Sequence, residues 1–289
     1  MADSWTIMAI ALLAGAVDGA VVGMIAIRLA PARIQRTNVD GKKVPAVLGW
    51  AIVSGGVTGL LVLVPWLSSM NDCDDTGMCL APDRWLPLRV VGILLVAMFL
   101  VGLWDDLKGD ERPRGFAGHL EALRGGALTG GMVKLIGGGL AGLASIYLLD
   151  DLVDVPLLLL GGACIALSAN LFNLLDRAPG RASKVWLIVA VVVASQSPDW
   201  RLWAAGTAGA VIATLPLDLR AVGMLGDAGA NPMGAVLGLG LVMGSGSLAA
   251  LGVIVAVLLG LNLLSEKVSF SKVVEQTPWL ARLDHLGRK

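Results

Sequence analysis

Apolar residues run almost unbroken along this chain, interrupted at intervals by short polar or charged connections rather than alternating with polar positions at helical or strand period. Such runs predict helices buried on all sides or facing lipid. Stretches long enough for a hydrocarbon core of about 30 Å are expected near residues 5–29, 45–68, 86–104, 126–149, 156–175, 185–197, 202–219, 229–244 and 247–265. The sixth is shorter than a full crossing usually needs. The pattern predicts an all-α, polytopic membrane helix bundle of about nine transmembrane helices, with one transmembrane domain over residues 1–265 and a basic tail over residues 266–289.

Composition agrees: of 289 residues 56% are hydrophobic and 15% charged, with 38 glycines. Within apolar spans, glycines such as Gly137, Gly138, Gly139, Gly234 and Gly238 are expected at close helix contacts. The Trp residues at 5, 50, 66, 85, 104, 186, 200 and 203 fall near expected span ends, as interfacial anchors do. A net charge of zero hides a strong asymmetry. With the amino terminus outside, the inner connections collect the Lys and Arg of residues 28–43, 108–134, 177–184, 220 and 267–289. Only Arg84, Arg89 and Arg201 stay outside, with Asp72, Asp74, Asp75, Asp83, Asp150, Asp151, Asp154 and Asp199. This is the positive-inside pattern, and it predicts a cytoplasmic carboxyl terminus in a plasma-membrane protein. The first span lacks a basic leader and contains Asp18, so it reads as a retained helix rather than a signal peptide.

On that orientation three acidic turns share the inner face: Asp105-Asp106, the run Asn170-Leu171-Phe172-Asn173-Leu174-Leu175-Asp176, and Gly226-Asp227-Ala228-Gly229. Carboxylates at helix ends suit a divalent cation and a phosphorylated substrate; singly, each also reads as a solvated helix terminus. Gly226 and Gly229 are candidates for close backbone approach to a phosphate, and Lys42, Lys43, Lys108 and Lys134 for neutralising one. Arg177 and Arg181 either grip a diphosphate or anchor the helix end. Cys73 and Cys79 share an outer connection, as a disulfide or as two thiols; Cys164 reads as packing, and no Cys and His spacing resembles a zinc site. An acid in mid-span, Asp18, is expected to make a polar contact inside the bundle.

The order of these turns, with Asn38-Val39-Asp40-Gly41-Lys42-Lys43-Val44-Pro45 in the first inner connection, resembles the polyprenyl-phosphate N-acetylhexosamine-1-phosphate transferase superfamily, over most of the chain. The resemblance implies transfer of a sugar 1-phosphate from a nucleotide sugar, a uridine diphosphate N-acetylhexosamine, to a polyprenyl phosphate, with release of UMP, in cell-envelope glycan synthesis. It implies Mg2+ held by Asp227 and Asp106, and Asp105, Asp106 and Asp227 as catalytic residues. Asn170, Asn173 and Asp176 would contact the donor's diphosphate or nucleoside. Lipid, nucleotide sugar and membrane are the expected partners, nucleic acid is not, and a homodimer stays open. The chain departs from the family on the donor side: Pro179 stands where the family's second acid of the third turn is expected, Gly109 where a Lys is common, Met224 where an aromatic is frequent, and a histidine-rich last loop is missing. The competing class is a non-catalytic polyprenyl-phosphate binder or a scaffold for envelope enzymes. A transporter is a third reading, which mid-span Asp18 suits but the lack of an internal repeat does not.

Overall fold

A computed structural model describes residues 3–68, 85–108, 130–149 and 154–288, with backbone alone for residues 85 and 130–135. Twelve helices are seen among them: α1 Ser4–Leu29, α2 Gly49–Ser68, α3 Trp85–Lys108, α4 Gly130–Leu149, α5 Val155–Leu175, α6 Arg181–Gln196, α7 Pro198–Trp203, α8 Ala205–Leu219, α9 Asp227–Gly244, α10 Leu248–Lys267, α11 Phe270–Gln276 and α12 Pro278–His285. Each of the nine expected apolar stretches is helical over most of its described residues. Five helices are long and apolar enough to cross a membrane, namely α1, α2, α3, α5 and α10. The chain is thus an almost wholly helical, membrane-type protein. The connection with Cys73 and Cys79, the segment with His119, and the Lys134 side chain lie outside the described residues.

Helix starts follow local capping chemistry. Asp3 accepts the Thr6 N–H at 2.7 Å to open α1, Asp154 accepts that of Leu157 at 2.9 Å ahead of α5, and Ser247 accepts that of Ala250 at 3.2 Å ahead of α10. The stretch expected from residue 45 begins its helix at Gly49, because the preceding residues are extended. There Gln35–Thr37 (β1) pairs antiparallel with Lys43–Pro45 (β2), Arg36 opposite Val44, an addition to the expected all-α bundle. Asn38 Oδ1 accepts the N–H groups of Asp40 and Lys42 to fold the turn of this hairpin.

Helix α9 is the centre. Every residue from Ala228 to Gly240 is buried, and α2, α3, α5 and α6 pack on it. A helix apolar all round must be enclosed. Small residues set the spacing: a Cβ on Gly238 would meet Ile165 Cα at 2.8 Å, and one on Gly234 would meet Ser168 O at 2.7 Å. A second seam joins α1, α2 and α8, where a Cβ on Gly55 would meet Gly15 O at 2.6 Å. These contacts match the close approach expected of membrane glycines.

Three tryptophans are not interfacial anchors. Trp186 and Trp200 are fully buried against α9, their Nε1–H groups donating to the Met233 and Val236 carbonyls, each at 2.7 Å, and Trp203 is buried too. Their large rings fill the space left by glycine: a Cβ on Gly240 would fall 2.5 Å from Trp200. The N–H groups of Trp186 and Trp200 find partners, as buried indoles usually do, while Trp203 Nε1 is buried without one.

Gly55→Val is expected to lower the thermal midpoint of the detergent-purified protein, by about 1–3 kcal/mol or more of stability, because the branched side chain meets the α1 backbone. Gly252→Val, where an added Cβ meets nothing within 4 Å, should leave the midpoint unchanged.

Candidate functional site

Four connections meet at one end of the bundle: the hairpin, the end of α3, the α5–α6 turn and the α8–α9 turn. The residues after β2 run along the α8–α9 turn, with the Leu48 N–H donating to the Met224 carbonyl at 3.0 Å and the Gly49 N–H to that of Leu225 at 3.2 Å. The hairpin also reaches the α5–α6 turn through the Val39 N–H and the Arg177 carbonyl at 2.9 Å. At the α3 end, Arg36 Nη2 donates to the carbonyls of Asp106 at 2.9 Å and Asp105 at 3.3 Å. A guanidinium at a helix C-terminus satisfies carbonyls that have no partner within the helix.

The start of α9 is held by acids from two other helices. Asp176 Oδ2 accepts the Gly226 N–H at 2.9 Å, while Asp106 accepts those of Asp227 at 3.2 Å and Ala228 at 2.9 Å. Three successive N–H groups thus face two carboxylates. Gly226 has no side chain to cap the helix, and its φ of 67° suits glycine. A Cβ there would fall 2.8 Å from Asp106 Oδ2. The turn therefore presents its N–H groups to Asp106 and Asp176, and the expected role of Gly226 in meeting a phosphate is replaced by one in meeting acids. Gly229 is likewise a packing residue, a Cβ on it lying 2.9 Å from Gly49 Cα.

Asp106 is buried, with Arg36 Nη2 3.6 Å from its Oδ1. Asp176 is buried just beyond α5. Burial, and then the charges of Asp218, Asp227 and Asp106, push its carboxyl well above the ordinary value of 3.8, and the Gly226 N–H opposes them only in part. Asp105 and Asp227 are half-buried at the same end.

Among the described residues no three His, Cys, Asp or Glu side chains are grouped to hold a metal ion. Magnesium commonly takes only one or two protein carboxylates, completing its shell with water and substrate oxygens. Asp227 and Asp106, two carboxyl groups at one helix start, are of the chemistry that suits a hard divalent cation.

Other expected site residues lie elsewhere. Asn170 donates to Asn262 Oδ1 of α10 at 2.6 Å, and Asn262 in turn donates to the Leu167 and Leu258 carbonyls, so this pair joins α5 to α10 and is not turned to the acidic cluster. Asn173 is half-buried one turn before Asp176. Lys42, Lys43 and Arg177 are exposed at the rim. Lys108 lies over the Trp104 ring at 3.5 Å.

Of its two expected roles, Arg181 takes the one at the helix end. It is buried, with both edges of its guanidinium on Asp284, Nε to Oδ1 and Nη2 to Oδ2, each at 2.8 Å, and Nη1 on Ser271 Oγ at 2.9 Å. Arg288 adds a contact to Asp284 Oδ2 at 2.6 Å and donates to the Pro179 carbonyl at 3.0 Å. Lys184 Nζ caps the end of α12 on the carbonyls of Leu283, Asp284 and Leu286. The tail is thus folded onto the α5–α6 turn, and Arg181 is committed to it rather than to a diphosphate. Arg36 and Asp284 were not among the expected site residues. An i,i+4 Asp284–Arg288 pair was the legible signal for the tail; nothing local singled out Arg36.

Comparison with protein-family models and with curated proteins yields no match.

Burial raises the Asp284 carboxyl, but the hydrogen bonds and charges of Arg181 and Arg288 outweigh it and hold the group below its ordinary 3.8. A depressed carboxyl stabilises the folded state above its unfolded pKa and loses that contribution as pH falls through the folded one. Hydrogen exchange of α12 is therefore expected to stay protected at neutral pH and to rise only in acid below pH 3.8. Asp284→Asn should expose α12 at neutral pH, leaving Arg181 buried without its ion pair.

Proposed function

We propose that this chain moves a sugar 1-phosphate from a nucleotide diphosphate sugar, of the uridine diphosphate N-acetylhexosamine class, to a polyprenyl phosphate at the cytoplasmic face of the plasma membrane, in cell-envelope glycan synthesis. An oxygen of the lipid phosphate attacks the sugar-bearing phosphorus of the donor. The bond from that phosphorus to the bridging oxygen breaks, the nucleoside monophosphate leaves with that oxygen, and a lipid diphosphate sugar forms. The observation that carries this reading is the convergence of three acidic turns, from the ends of α3 and α5 and the start of α9, on one set of backbone N–H groups. The Lys and Arg asymmetry supports the cytoplasmic side.

Asp227 and Asp106 are the residues to hold Mg2+, which when bound offsets repulsion between the two phosphate groups and stabilises the leaving one. Asp176 and Arg36 fix the turn on which Asp227 stands. Asp105, half-buried beside Asp106, orients the acceptor. A phosphate monoester with a second pKa near 6 is already largely ionised at pH 7, so orientation matters more than proton removal. Lys42, Lys43 and Arg177 at the rim attract the phosphates, while Arg181 serves the tail. A second reading, a non-catalytic polyprenyl-phosphate binder or scaffold, draws on the commitment of Arg181 to Asp284, which removes a diphosphate ligand from the donor side.

The deciding experiment is exchange of radiolabelled UMP into a panel of UDP-sugars by purified protein with polyprenyl phosphate and magnesium. Transfer predicts exchange that falls at least about 10²-fold in Asp227→Asn. Absence of exchange with every donor, alongside metal-dependent lipid binding, would favour the non-catalytic reading.

A further inference from the structure

Asp18 lies near the middle of α1, fourteen residues beyond Ser4, or about 21 Å along the axis at 1.5 Å per residue. The expectation is a polar contact inside the bundle; Asp18 is half-buried, and its Oδ2 is buried without a hydrogen-bond partner. The neighbouring stripe of α1, at Gly15, Gly19 and Gly23, is packed on α2 and α8, so Asp18 stands beside that seam. Asp18 borders an open groove of ≈ 610 Å³ shared with Thr58 of α2 and walled by Leu13, Ala14, Val17 and Val21. Leu13, Val17 and Val21 are exposed there.

A carboxyl at this depth costs about 2.5–3.5 kcal/mol in a helix facing lipid. Acyl chains filling the groove would leave it unanswered, since they have no donor. Among the described residues a second copy of this chain offers no cation in the middle of a long helix: Arg28, Arg89, Lys108, Lys134, Arg181, Lys184 and Lys267 all stand within two turns of a helix end. A mid-span Arg or Lys on another membrane helix would meet both the charge and the apolar walls. We propose that this groove is the docking site for a membrane-spanning helix of a partner protein carrying a basic residue at mid-span, which pairs with Asp18. The inference is independent of the transferase reading, because Asp18 is remote in sequence and in fold from the acidic turns.

The test uses energy transfer in lipid vesicles between the labelled full-length protein and a synthetic Leu-Ala helix of about 20 residues with one central Arg, against the same helix with a central Leu. The Arg helix is expected to associate at least about tenfold more tightly. That difference should vanish in Asp18→Asn, and Val17→Trp should block the groove while keeping the acid. Equal association of the two helices, or an unchanged preference in Asp18→Asn, overturns the proposal. So does energy transfer between two differently labelled copies of the protein that the Arg helix abolishes, which would make the groove a self-association face. UMP exchange measured on Asp18→Asn separates this outcome from the fate of the transferase reading.

Discussion

Two carboxylates holding three consecutive backbone N–H groups are the constraint on which this molecule depends. A helix start normally finds its cap in its own chain; α9 starts on Gly226, which has none to offer, and takes its acceptors from Asp106 of α3 and Asp176 beyond α5. The positive end of the α9 dipole and the low polarity of the interior both strengthen such contacts. Loss of either acid would leave buried N–H groups unpaired, at a cost of about 1–3 kcal/mol each. Three helices are thereby fixed relative to one another at the end where the candidate chemistry lies. The extended residues after the hairpin, bonded to Met224 and Leu225, hold the same turn from the other side.

The price of this arrangement is electrostatic. Acids gathered at one helix start repel each other, and the Asp176 carboxyl, raised first by burial, is raised further by the charges of Asp218, Asp227 and Asp106. Arg36 offsets part of that charge while bonding the end of α3. Among the described residues, Lys42, Lys43 and Arg177 are exposed at the same end.

Hydropathy located the helices well because long apolar runs have few alternatives in a compact chain. The acidic turns were legible because polar residues between such runs must collect at helix ends. What eluded the sequence was pairing between distant elements. Trp186 and Trp200 stood at apparent span ends, where a ring is as compatible with lipid as with a core; only the glycines of α9 decide between them. Asn170 has the spacing of a site residue, yet Asn262, on a helix far along the chain, draws it away. Arg181 has the chemistry of a phosphate ligand, but the carboxylate of Asp284 has the same fork-matching geometry. Gly226 and Gly229 were read for the space they open, and that space is filled by protein.

The tail contact also has a timing. Arg181 precedes Asp284 by 103 residues, so at an elongation rate of about 5–20 residues per second the guanidinium waits roughly 5–20 s for its partner. Throughout that interval α6 already exists while its first residue has no carboxylate to enter the interior with. A charged group keeps to water until it is paired, so the α5–α6 turn stays hydrated while α8, α9 and α10 are being made. Closure over that turn is thus one of the late events in the life of the nascent chain, and the machinery that inserts it must tolerate a wet, open corner until the tail arrives.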